Sequence, residues 1–222
     1  MFDLIIKNGT IIDGTNKSKY KSDIFINNNK ISKIGFILNA QANKIIDASN
    51  LIISPGFIDI HTHSDISVIN DPYNESKIYQ GVTTEVTGNC SYSAFPSGNN
   101  NPNTIRDGLW EKRGNADDPK TKWSWNTFDE YANFIEKKGT SINIAPQLGY
   151  AALQVASGAI ENRPATDTEM AKMKRLANES IEQGAFSLST GLSVPPSAFA
   201  STDEIIEICK SISHYEGIFY VT

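Results

Sequence analysis

From Pro55 onward the chain repeats one rhythm, a short apolar strand followed by a helical stretch, and this alternation constrains the fold more than any other feature. It predicts strands over 57–63, 82–88, 142–148, 186–190 and 217–222, separated by helices over 72–80, 127–137, 167–183 and 203–215. Repeated βα units imply a parallel sheet, open or closed into a barrel, because each crossover returns the chain to the same end of the sheet. Thr127 before Asp129-Glu130 and Thr202 before Asp203-Glu204 mark helix starts, and Asp167-Thr168-Glu169 does the same for a third helix. A hydroxyl there accepts from an orphan amide, and acidic residues suit the positive end of the helix dipole.

Residues 1–54 read differently. Short alternating runs, Leu4 to Asn8, Asp23 to Asn27, Lys30 to Ile34 and Lys44 to Asp47, are separated by Asn/Gly-rich turns, the pattern of a small antiparallel β module. The stretch 91–126 carries Ser, Gly, Asn, Pro and isolated tryptophans, and a loop of that length in a compact domain is a lid or a disordered segment. Trp110, Trp123 and Trp125 are expected to anchor it on the core.

At 222 residues, 39% hydrophobic and 20% charged, the chain has the balance of a globular protein with room for one large domain or two small ones. A net charge of −5 argues against nucleic acid and anionic membranes, since no Lys/Arg stripe faces a phosphate backbone. The start has no signal-peptide pattern, and two cysteines, Cys90 and Cys209, fit a reducing cytoplasm.

Chemistry concentrates in Pro55-Gly-Phe-Ile-Asp-Ile-His-Thr-His-Ser-Asp65. On a strand, Asp59, His61 and His63 share one face, with the two imidazoles about 7 Å apart at the backbone, a spacing suited to one ion. Cys90 closes the next strand, within reach of the same rim, and a metal would deprotonate its thiol. His61, His63 and Cys90 are therefore a candidate zinc set of the catalytic kind, with coordination positions left for water. Cys209, at helical spacing with Ile205 and Ile212, reads as core, and His214, near a helix end, as a dipole partner.

Segment 55–65 resembles the first strand of the metal-dependent amidohydrolases. Gly81-Val-Thr-Thr-Glu-Val-Thr-Gly-Asn-Cys90 narrows the likeness to the N-acyl-D-amino-acid deacylases, or D-aminoacylases, in which a cysteine stands where most relatives use a carboxylated lysine. Arg163-Pro-Ala-Thr166 with Met173, Gly184 to Leu192, and Pro195 to Glu204 also match, so the resemblance covers nearly the whole chain. It implies the N-terminal part of a (β/α)8 TIM-type barrel, preceded by an incomplete β-sandwich (1–54) and extending over 55–222. It also implies a Zn2+ cofactor and zinc-assisted attack of water on the amide of a small-molecule N-acyl-D-amino acid. His61, His63 and Cys90 would be ligands, Asp59 and Asn89 would orient them, and Asp65 would do so or cap a loop. No lysine stands near the strand ends in 142–149 or 186–190 to take the bridging role.

The family pattern continues with a histidine directly after Tyr220-Val-Thr222 and, later, an aspartate acting as general base, so the resemblance places no catalytic residue within the chain. Read this way the chain is a fragment whose unpaired strands expose their edges to self-association. Tyr150 stands where a histidine is usual, Gln154 where an arginine is common and Val194 where a tyrosine is expected, so acyl and side-chain specificity do not follow. Two alternatives to the deacylase stay open: a non-catalytic truncated domain, and another amidohydrolase of dihydroorotase-like or dipeptidase-like type.

Overall fold

The computed structural model describes residues 1–99, 101–111, 122–215 and 218–221. The polypeptide separates into two units, Met1–Gly56 and Phe57–Thr222.

The first unit is a sheet of β1 (Phe2–Ile11), β2 (Tyr20–Asn27), β3 (Lys30–Gly35), β4 (Ala42–Asp47) and the short β5 (Ile52–Ile53), in the order β3-β2-β1-β4 with β5 also on β1. Asn28 and Asn29, at φ of 50° and 58°, turn β2 into β3, a conformation asparagine tolerates and a tight hairpin requires. Ile5 and its cross-strand partner Phe25 share one buried face, and Ile24, the next residue of β2, is buried on the other. The sheet is mixed rather than antiparallel, because β4 and β5 both run parallel to β1. Period-two alternation is the same for either direction, so the sequence carried no signal for it.

The second unit contains β6 (Phe57–Asp59), α1 (Ser67–Asn70), α2 (Glu75–Ile78), β7 (Val82–Thr87), α3 (Asn103–Ile105) and a π-helical turn at Arg106–Trp110. It continues with α4 (Phe128–Lys138), β8 (Asn143–Pro146), β9 (Leu148–Gly149), α5 (Tyr150–Ser157), α6 (Asp167–Glu182), β10 (Ser187–Thr190), α7 (Thr202–Ile212) and β11 (Ile218–Val221). Strands pair in two parallel sets, β6-β7-β8 and β9-β10-β11. This is the α/β architecture that the alternation implies.

The helices follow from their caps and faces. In α6 the buried residues Met173, Leu176, Ala177, Ser180 and Ile181 recur at i, i+3, i+4, i+7 and i+8, one stripe against the core. Thr127 caps α4 by accepting from Glu130 N–H. The other two caps lie one residue earlier than the sequence suggests, although α6 begins at Asp167 as expected: Thr166 caps α6 and Ser201, not Thr202, caps α7, each in a reciprocal capping box with Glu169 or Glu204. The helix expected over 72–80 is only the four-residue α2, and the equally short α1 precedes that range. Helix α5 was not foreseen, because six of its eight residues are buried and it has no polar face to set a period.

Trp110, Trp125 and Trp123 sit in the core beside Phe95, Tyr131 and Leu148. The Trp110 and Trp125 indole N–H groups donate to Ser93 O (3.0 Å) and Ala94 O (2.9 Å), and Trp123 stacks on Trp125 at 5.0 Å. The tryptophans thus anchor the long loop, as expected, although residues 112–121 of it lie outside the described residues. No helix among the described residues is long and apolar enough to cross a membrane.

Candidate metal centre

The strand bearing the histidine pair is shorter than the expected 57–63. It ends at Asp59, whose Oδ1 accepts the His61 N–H at 3.3 Å and turns the backbone out of the ladder. His61 and His63 therefore project from a turn, and tertiary bonds rather than strand alternation aim them. Thr62 donates both its N–H (3.2 Å) and its hydroxyl (3.1 Å) to Val86 O on β7. Three residues on, the buried Asp65 accepts Gly88 N–H at 3.1 Å, and its carbonyl accepts the Tyr131 hydroxyl at 2.6 Å. Asp65 thus braces the histidine turn against the turn that carries Cys90.

Asn89, fully buried, donates through Nδ2 to Thr62 O (3.2 Å) and Val86 O (2.9 Å) and accepts at Oδ1 from Gln147 Nε2 (3.0 Å). Gln147 Oε1 in turn accepts from the Ser187 hydroxyl at 2.8 Å. This buried chain crosses the strands beneath the histidines, and its satisfied partners fix the turn at a depth where loose polar groups are costly. The sequence reading missed Gln147; a polar residue inside the apolar run Pro146-Gln-Leu148 was the available signal.

Cys90 and Ser91 both adopt left-handed backbone, with φ of 54° and 73°. Two successive non-glycine residues there are held only where the surroundings impose it. Gly191 N–H donates to Ser91 Oγ (2.7 Å), Gly149 N–H donates to Ser93 Oγ (3.0 Å), and the Ser189 hydroxyl donates to Gly88 O. Both glycines are demanded by close approach: a Cβ on Gly149 would lie 2.2 Å from Ser91 O, and one on Gly191 would lie 2.8 Å from Cys90 Cα.

These restraints bring His61, His63 and Cys90 together, with one ligand atom from each lying within 4.8 Å of the others. His61 Nε2 is 3.3 Å from Cys90 Sγ, and the two imidazoles meet edge to face at 5.7 Å between centroids. Tetrahedral zinc with bonds of about 2.0–2.3 Å places its ligands roughly 3.4 Å apart, so small side-chain rotations suffice for the three to share one ion. The imidazole and thiolate donor set suits zinc, and three protein donors leave room for water or substrate.

The carboxyl of Asp59 is held below the ordinary carboxylate range by its hydrogen bond from Lys77, 2.8 Å to Oδ2. Cys209 lies half-buried against the core, where desolvation pushes its thiol up, and His214 stacks on Tyr215 at 4.0 Å; neither joins the cluster. Gln154 is buried and holds the turn at Pro196 through Pro196 O (3.2 Å) and Ser197 Oγ (3.2 Å). Tyr150 is buried in the core, and Val194 lines a cavity of about 360 Å³ with Tyr92, Leu109, Val155 and Pro195.

Parallel strands with a His-His-Cys cluster beyond their carboxyl ends are the arrangement of a metal-dependent hydrolase, and residues 44–200 match the amidohydrolase family. The chain belongs to that family. It is 37% identical to a D-aminoacylase of Alcaligenes xylosoxydans xylosoxydans and 34% identical to an N-acyl-D-aspartate deacylase of the same organism. These matches cover 98% and 99% of the chain and 43% of each relative. Among solved structures it superposes with a TM-score of 0.85, at 28% identity, on the N-acyl-D-glutamate deacylase of Bordetella bronchiseptica complexed with zinc and a phosphonate inhibitor. That match covers 99% of this chain and 44% of the other. The chain thus spans less than half the length of these relatives.

Proposed function

We propose that His61, His63 and Cys90 supply one side of the zinc centre of an N-acyl-D-amino-acid amidohydrolase, on strands that form part of a (β/α)8 barrel wall. The observation that carries this is the convergence of the three donors within 4.8 Å. The named relatives, a D-aminoacylase and two deacylases of acidic N-acyl-D-amino acids, support the substrate class. Zinc at this site would lower the pKa of water and polarise the amide carbonyl. The chain's own residues do the positioning: Asp59 and Thr62 aim the histidine turn, while Asn89 and Asp65 lock it to the cysteine turn.

The test is metal content and turnover of the full-length protein. We expect bound zinc, hydrolysis of N-acetyl-D-amino acids in preference to their L-enantiomers, loss of turnover on chelation and recovery with zinc. Cys90→Ala should weaken zinc binding at least ~10-fold, the effect that partners beyond the ligands already reach. A protein that purifies without zinc, gains none on dialysis and cleaves neither enantiomer would refute the proposal.

A second reading, a domain that associates through its strands without turnover, is favoured by one observation. Phe57, Ile58 and Ile60 at β6 and Ile218, Phe219 and Val221 on β11 expose between 42% and 63% of their surface. Hydrolysis that is lost with Cys90→Ala would exclude it.

A further inference from the structure

Lys77, on the four-residue helix α2, places its ammonium between two carboxylates: 2.8 Å from Asp59 Oδ2 and 2.9 Å from Glu85 Oε1. The two acids are direct cross-strand partners, Asp59 being the last residue of β6 and Glu85 lying in the middle of β7. Glu85 is fully buried, and neither of its oxygens has an aligned hydrogen bond among the described residues, so the Lys77 contact is ionic and offsets the desolvation of its charge.

The position of this bridge gives it consequence. Strand β6 is only three residues long and its register with β7 shifts between Phe57 and Ile58, so the backbone ladder alone fixes the two strands weakly. Two residues beyond Asp59 stands His61, and five beyond Glu85 stands Cys90. The same Asp59 carboxylate that receives Lys77 at Oδ2 receives His61 N–H at Oδ1. One ammonium therefore ties the strand that carries the histidine pair to the strand that carries the cysteine.

We propose that Lys77 is a positioning residue of the metal centre, setting the spacing of His61 and His63 relative to Cys90 by bridging Asp59 and Glu85. The inference rests on the reading of those three residues as metal donors.

The experiment uses the full-length protein in wild-type form and as the Lys77→Met, Lys77→Arg and Cys90→Ala variants, with zinc affinity measured by chelator competition and the cobalt-substituted protein followed by its thiolate-to-metal absorption. Lys77→Met should weaken zinc binding by about 10–100-fold, the range typical of residues that orient ligands, and shift the cobalt spectrum; Lys77→Arg should restore most of both. Leu176→Ala, on the core face of α6, should lower the melting temperature and leave affinity and spectrum unchanged, which separates positioning from general destabilisation. Should Lys77→Met leave Glu85 unpaired and the fold lost, Lys77→Met with Glu85→Gln removes both charges and should fold with the same weakened affinity. Tight zinc binding and an unaltered cobalt spectrum in Lys77→Met or, where that does not fold, in Lys77→Met with Glu85→Gln, alongside weak binding by Cys90→Ala, would overturn the role of Lys77 alone. Equal zinc binding by wild type and Cys90→Ala would overturn the metal centre and this inference with it.

Discussion

Cys90 is the residue on which the site turns, and its backbone is as specific as its sulfur. The left-handed conformation at Cys90 and Ser91 directs the thiol at His61, and Gly191 lies too close for any side chain. Gly191→Ala should therefore push its new methyl into Cys90 Cα and carbonyl carbon, at 2.8 and 3.0 Å, which backbone cannot relieve by rotating. We expect a loss of ~1–3 kcal/mol in urea denaturation, the usual cost of overpacking, together with weaker zinc binding than in wild type. The donor types at 61, 63 and 90 were legible in the sequence because histidine pairs and a strand-end cysteine are uncommon. The glycine that admits them was not, since it lies about 100 positions from the residue it touches.

At the scale of elements, the helices were legible where a cap and an apolar stripe coincide. Helix α6 shows both, with Thr166 accepting from Glu169 N–H and Glu169 reaching back to Thr166 N–H at 2.7 Å. Thr166→Ala should cost ~1 kcal/mol, read as a fall of about 2–4 °C in melting temperature. Arg163 grips Glu169 in a fork, at 2.8 and 2.9 Å, and with the Thr166 amide holds its carboxyl down to about 2. A carboxyl depressed in the folded state stabilises the fold above its unfolded value of ~4.3 and loses that contribution as pH falls toward the folded value. The melting-temperature gap between wild type and Glu169→Gln should thus be constant from about pH 5 to 8 and shrink between about pH 4 and 2; a gap that widens on acidification would contradict the assignment. Helix α5 was illegible for the opposite reason, because burial on all sides erases periodicity, although Gly158 at φ 95° marked its end.

Across the whole molecule, the core of the second unit contains one aromatic cluster drawn from the long loop and α4. Trp125 stands 5.5 Å from Tyr131 and 5.1 Å from Phe134 between ring centroids, and its indole N–H satisfies Ala94 O. Trp125→Ala should cost ~3–5 kcal/mol in urea denaturation, since the cavity cannot collapse and a buried carbonyl loses its donor. The sequence by itself determined what depends on near neighbours: the alternation of strand and helix, the capped amphipathic helices, and the side-chain types at 61, 63 and 90 from which the metal centre is proposed. Tertiary structure alone decided the parallel pairing of β4 and β5 with β1, the early end of β6, the bridge from Lys77 to Asp59 and Glu85, and the glycine contacts beneath Cys90. The physical reason is range. Propensity, capping and periodicity act within a turn or two of chain, whereas register, burial and close approach are fixed by partners that only folding brings into contact.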